Sequence, residues 1–554
     1  MSCPSLSAEE HSEPSMNPAW PQPLDPLHSV ALSALAASLP LIVVLVLMGG
    51  LRKSGLLASA CGLVCTIVLA LSLWQMPAAL VLWSAIYGAV YALWPILWIV
   101  FTALWLYNLT QDTGKFELLR RWMQQHASGD PNIQVILVAF CFGALLEGTA
   151  GFGAPVAVTA CLLVGLGHPA RRSVLAALIA NTAPVAFGAL GIPTVALAGV
   201  TGLNLAQLSA MTGRQVPFLS LILPAYLVLV TSGSKGLRKS WPAALIAGLS
   251  FALTQFLVSN FWGPYVTDVL ASSISIAALV AFLKLRPESG TSDQLPAESQ
   301  ANCPEPDPHP LTATESLAAW LPWVMLSVVM ILWSWFKLLP TGQHSIPIPH
   351  LHNSVLITLY QKPYAALYAF QPLGPGTGVL TATILTALCL RVSGKAFFTS
   401  GTKTLRQLRV PGLTVLAIVA LAYLYNYSGM AYTLGAAVAQ VGPAFPILSG
   451  FLGWVACFLS GSDTASNLLF GNLQVAAAHQ LHLSPILLAA TNSCGAVAGK
   501  MVSPQNIAVG VTTVGLIGQE GKVLRSAFWH SMLFAGIISL IAFSQAYWLT
   551  WMIP

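Results

Sequence analysis

Three charged side chains stand where charge is expensive. Glu147, Asp463 and Lys500 each lie in a stretch otherwise rich in glycine, alanine and small polar residues, between long apolar runs. An ionised group at the centre of a membrane helix costs about 2.5–3.5 kcal/mol on insertion scales, so each needs a reason to be there. Glu147 and Asp463 are candidate proton acceptors, because burial disfavours the charged form of a carboxylate. The alternative is that each caps a broken helix. Lys500 is either the counter-charge for an anionic substrate or a permanent partner for one of the carboxylates. No nucleophile–base pair and no Cys/His group with metal-ligand spacing accompanies them, so neither an enzyme, a metal site nor a cofactor is expected.

The stretches that carry these charges share a pattern. Asn181 to Pro193 and Asn492 to Pro504 repeat three landmarks, Asn, Gly and Pro, at one offset of 311 residues (Asn181 and Asn492, Gly188 and Gly499, Pro193 and Pro504). Two further breaks precede them. Gly148, Gly151, Gly153 and Pro155 interrupt the first half, and Gly461, Ser462, Asp463 and Thr464 interrupt the second. Interrupted helices free backbone N–H and C=O groups to ligate a solute, and helix N-termini at such breaks attract anions without needing an arginine. Asn181, Thr182, Ser462, Thr464, Asn492, Ser493 and Lys500 are therefore the expected substrate ligands.

The elements that position them must cross a membrane. The chain has 554 residues, 56% hydrophobic and 7% charged, against about 25% charged in a soluble domain. A bilayer core needs roughly 20 apolar residues per helix, and lipid leaves no backbone group unpaired, so the apolar runs predict an all-α polytopic protein of about 12–14 transmembrane helices. The formal charge of +6 is spread over short loops and reports orientation rather than nucleic-acid binding. The cysteines are expected to be small buried hydrophobes.

Basic loops stay on the cytoplasmic side. Placing Arg120, Arg171, Lys235, Lys284, Arg391 to Arg409 and Lys522 inside forces residues 133–167 to enter from the cytoplasm and return to it. It forces 444–480, which has no Lys or Arg, to enter from outside. The two halves are thus expected to be inverted repeats with re-entrant, hairpin-like segments, over 28–232 and 318–554. Two linking helices span 233–284 and a cytoplasmic linker 285–317. An acidic N-terminal tail over 1–27 is expected to be disordered. Both termini are expected outside. Trp94-Pro95 predicts a kink, and Lys115 to His126 an interfacial helix.

The residues Phe142-Gly143-Ala144-Leu145-Leu146-Glu147-Gly148-Thr149-Ala150-Gly151-Phe152-Gly153-Ala154-Pro155, Asn181-Thr182-Ala183-Pro184-Val185-Ala186-Phe187-Gly188-Ala189, Gly461-Ser462-Asp463-Thr464 and Gly499-Lys500-Met501-Val502-Ser503-Pro504-Gln505 resemble the signature segments of the bacterial L-lactate permease family. The resemblance runs from about residue 28 to the C-terminus. It implies an inner-membrane symporter that carries L-lactate, D-lactate or glycolate together with a proton and uses neither ATP nor a prosthetic group. The first 27 residues and the linker depart from the family pattern. Sodium coupling, or a lactate receptor that does not translocate, are the alternatives, and a homo-oligomer stays open.

Overall fold

Because a helix satisfies its own backbone, the apolar runs fold as helices and stack side by side. The computed structural model describes residues 19–51, 53–126, 129–151, 153–285 and 309–554. Eleven helices among them are long and apolar enough to cross a membrane, twelve if the bent pair Ala170–Ala180 and Val185–Thr201 forms one span. Leu205–Phe261 holds two spans, since the chain reverses at Gly233 (φ 71°): Leu221 faces Gly248, and Ser220 Oγ donates to Gln255 Oε1 at 2.7 Å. That makes thirteen apolar helices of spanning length, two of which turn back rather than cross.

Two of the elements do not cross. The helix Pro131–Thr149 turns over at residues 150–153 and returns as Ala154–Gly165; Phe445–Ser460 turns at Gly461 and returns as Asp463–Gln480. Each hairpin is followed by a broken helix, Ala170–Ala180 with Gly188–Thr201 and Pro485–Lys500 with Pro504–Thr513.

The hairpins enter from opposite faces. One face gathers the basic loops: Lys403 pairs with Asp112, Lys239 with Asp130 at 3.2 Å, and Arg171 donates to Ser526 at 2.6 Å. The first hairpin starts and ends there. The second starts and ends on the other face, where Tyr547 bonds to Pro443 and Tyr360 packs at a tilt against His479. The inverted entry derived from loop charge is thus what the chain adopts.

That second face also carries two small sheets, which the apolar pattern does not signal. His344–Pro347 pairs antiparallel with Leu367–Phe370, and Val355–Ile357 pairs with Lys362–Pro363 and, in parallel, with Trp20–Pro21. The expected disorder over 1–27 therefore fails from Ala19 onward. Gln22 explains why: its buried amide donates to the carbonyls of Asn426 and Tyr427 at 3.0 and 2.9 Å. Residues 1–18, and 286–308 of the linker, lie outside the described residues. The chain is kinked at Trp94, whose φ of −140° leaves the helical region next to Pro95. Lys115–His126 forms a helix burying Phe116, Leu119 and Met123. Among the cysteines, Cys161 departs from expectation in being disulfide-bonded.

Candidate functional site

Glu147 sits in the last turn of the helix Gly143–Thr149, where the carbonyl ends of the helix disfavour a negative charge. Lys500 ends Pro485–Lys500, where a positive charge is favoured. The two meet although 353 residues separate them: Lys500 Nζ donates to Glu147 Oε1 at 2.6 Å, and both side chains are buried. Gly188 makes room for this, because a Cβ there would stand 2.7 Å from Glu147 Oε1. The recurrence of that glycine at 188 and 499 thus has a steric cause at each position, the second being the close approach of Gly499 to the Trp454 carbonyl.

The pair opens onto a cavity of about 340 Å³. Glu147, Gly151, Gly153, Pro193, Gly461, Ser462, Asp463, Thr464 and Lys500, all expected from the sequence, line it. Three helices begin at its wall, at Ala154, Asp463 and Pro504, so their N-termini supply the N–H groups and partial positive charge that suit an anion. Pro411, Gln505 and Val509, which are exposed, line the cavity from helices that begin or end at the basic face, so it opens toward that face.

The remaining expected ligands stand behind the wall. Asn492 Nδ2 donates to Asn467 Oδ1 at 3.0 Å, and Asn492 Oδ1 accepts from Gln474 at 3.2 Å. Ser493 Oγ donates to Asp463 Oδ2 at 2.9 Å while accepting from Asn467 at 3.1 Å. Asn467 also donates to the Pro193 carbonyl at 3.1 Å, tying the second hairpin to the first broken helix. Asn181 and Thr182 are buried, and neither Asn181 Oδ1 nor Thr182 Oγ1 has a partner among the described residues. Gly148 backs onto Asp268, and Pro155 and Pro504 open helices. Glu147 Oε2 and Asp463 Oδ1 are buried and have no partner among the described residues.

Sequence reasoning missed four contributors. Gln505 and Asn506 line the cavity from the first turn of the helix after Pro504, and Asn506 Nδ2 donates to the Gly461 carbonyl at 3.2 Å. Their position just after a helix-starting proline at a break was the available signal. Ala189 and Leu190 extend the first break, with φ of 44° and 59° in the left-handed region, a conformation costing about 1–2 kcal/mol per residue.

A model of the L-lactate permease family matches residues 33–549. The chain belongs to that family. Among its relatives, the glycolate permease GlcA of Escherichia coli (strain K12) is 41% identical over 96% of this chain and 99% of its own. The L-lactate permeases of E. coli (strain K12) and Bacillus subtilis (strain 168) are each 39% identical over 97% of this chain and all of theirs. The solved YdaH transporter of Alcanivorax borkumensis aligns over 82% of this chain and 86% of that one at 15% identity, with a TM-score of 0.41, too low to bear on the fold. Family membership and the membrane helices make this a multi-pass membrane permease. Of the segments that carry the family resemblance, the first contributes Glu147 to the cavity wall, the third Asp463 and the fourth Lys500, whereas Asn181 and Thr182 of the second do not line it.

Proposed function

We propose that this permease takes up L-lactate and related 2-hydroxymonocarboxylates, D-lactate and glycolate, together with a proton, across a bacterial inner membrane. The names of its relatives supply the substrate class. The observation that carries the coupling is the buried Lys500–Glu147 pair at the cavity wall.

With Glu147 ionised, Lys500 is already neutralised, and an anion entering the cavity would add an uncompensated charge in a medium of low dielectric. A proton on Glu147 removes that obstacle. Lys500 then becomes the counter-charge for the substrate carboxylate, with the helix N-termini at Ala154, Asp463 and Pro504 adding donors. Anion and proton each favour the binding of the other, and such reciprocal linkage between two solutes is what symport requires. Asp463 holds Ser493 and shapes the second tip. The basic face is cytoplasmic and the sheet-bearing face external, which puts both termini outside.

Proteoliposomes test this. Wild type should accumulate L-lactate when a pH gradient is imposed and should need no sodium. Glu147→Gln should lose gradient-driven accumulation while lactate exchange continues. Accumulation left intact would remove Glu147 as the proton carrier.

A further inference from the structure

Behind Glu147, on the side away from the cavity, lies a carboxylate that the exchange of Glu147 and Lys500 does not use. Asp268 is the second residue of the helix Thr267–Leu285, which runs antiparallel to the first hairpin arm: Ser275 bonds to Cys141, and a Cβ on Gly148 would stand 2.9 Å from Asp268 Cβ. It is 1% exposed. Asp268 Oδ1 accepts from Gln255 Nε2 at 3.1 Å, and the same amide donates to the Ala183 carbonyl of the first break at 3.1 Å. Ser220 Oγ in turn holds Gln255 Oε1 at 2.7 Å, which fixes the amide's orientation. Asp268 Oδ2 has no partner among the described residues, and neither has Glu147 Oε2.

A buried carboxylate with one oxygen held and the other free is expensive when charged and inexpensive when protonated. Among the described residues the ionisable group facing it is Glu147, from the hairpin arm, with Lys500 beyond Glu147; Tyr265, three residues earlier, lies instead among Trp262, Met330 and Trp333. From the 216–261 helix pair it meets the neutral Gln255, whose amide links it to the Ala183 carbonyl of the first break. Its place along the membrane is also specific. The chain reaches it directly from residues 262–266, on the external face, where Trp262 and Tyr265 pack near Trp333 and Leu339. The cavity that exposes Glu147 opens the other way.

We propose that Asp268 is a second proton-carrying carboxylate, lying between the external face and Glu147, and that Gln255 positions it. The proton leaves Asp268 Oδ2 as Glu147 Oε2 takes it up; one O–H bond breaks, one forms, and nothing is oxidised or reduced. Glu147 becomes neutral, and Lys500 is released to the substrate. This rests on the symport reading given above.

The experiment uses the full chain in proteoliposomes and measures, for each variant, gradient-driven L-lactate accumulation, lactate exchange and the pH midpoint of uptake. If wild type shows no gradient-driven accumulation, the symport reading itself falls. If it does accumulate, Asp268→Asn should lower the ratio of accumulation to exchange at least ten-fold, and Asp268→Glu should recover most of it. Gln255→Leu removes the donor that favours the ionised form, so its uptake midpoint should move alkaline by about 0.5–1 pH unit. An Asp268→Asn protein with the wild-type ratio overturns the proposal, as does one in which accumulation and exchange fall together. Should Asp268→Asn fail to insert, the Gln255→Leu profile decides, and an unmoved midpoint overturns the proposal.

Discussion

In the second hairpin, glycines bring the arm Phe445–Ser460 into backbone contact with its own broken helix: a Cβ on Gly453, Gly495 or Gly499 would run into the carbonyls of Asn492, Gly450 or Trp454. Small residues at a membrane interface allow this close approach. In the first hairpin, the arm Pro131–Thr149 leans instead on the two linking spans, with Phe140 against Phe251 at 5.0 Å and Cys141 bonded to Ser275 at 3.3 Å. The polar interiors differ in the same sense. Asn492 and Ser493 are bonded within the second repeat through Asn467, Gln474 and Asp463, whereas Asn181 Oδ1 and Thr182 Oγ1 find no partner among the described residues. One repeat is a closed unit that presents Lys500 and Asp463. The other offers Glu147 on an arm whose charge is neutralised, among the described residues, from across the repeat boundary.

Removing that neutralisation should have the largest effect. Lys500→Ala leaves Glu147 buried without its partner, a change costing about 3–5 kcal/mol, and should both lower thermal stability in detergent and abolish lactate uptake. Adding Glu147→Gln should recover most of the lost stability and none of the transport. If the single variant melts like wild type, the pair does not join the repeats energetically; if its lactate KM is also unchanged, Lys500 does not meet the substrate.

The two asparagines at equivalent breaks sharpen the contrast at a smaller scale. Asn492→Ala strands the buried amides of Asn467 and Gln474 and should cost about 1–3 kcal/mol, whereas Asn181→Ala breaks no bond to Oδ1 and should cost below about 1 kcal/mol. Parallel thermal melts of the two variants measure the gap. Equal losses would mean that the second repeat is no more closed than the first.

Which parts of this were legible in the sequence follows from range. Loop charge gave the opposed hairpins because lysine and arginine placement is a local, additive signal, and the broken helices announced themselves through Gly151, Gly153, Pro193 and Pro504. Glu147 and Lys500 were visible as isolated charges and a carboxylate partner for Lys500 was one of two readings, but which carboxylate it meets was not legible, since nothing local ties positions 353 residues apart. Asp268 escaped notice because it lies in the first turn of what reads as an ordinary apolar span, where an acidic residue is a common helix start. The small sheets were hidden for a different reason: strands of two to four residues, paired from Trp20 to Val355, have too little periodicity to show.

The smallest effect concerns the links between each hairpin and its broken helix. In the first, His168 is buried, its Nε2 against Gln134 Oε1 at 2.9 Å; in the second, His482 is exposed. Burial pushes the His168 imidazole down from its usual 6.5 to about 4. An unfolded chain takes up that proton as pH falls through 6.5, while the folded chain resists until about 4. The unfolded state therefore binds more protons in this window, and stability declines as pH drops across it, by on the order of 1–3 kcal/mol for this one group. Melts of wild type and His168→Gln between pH 7 and 4 should diverge by that amount, wild type losing more. His482→Gln should follow wild type throughout. Parallel curves for wild type and His168→Gln would show that the first link is as open to water as the second, and that the difference between the repeats does not reach the basic face.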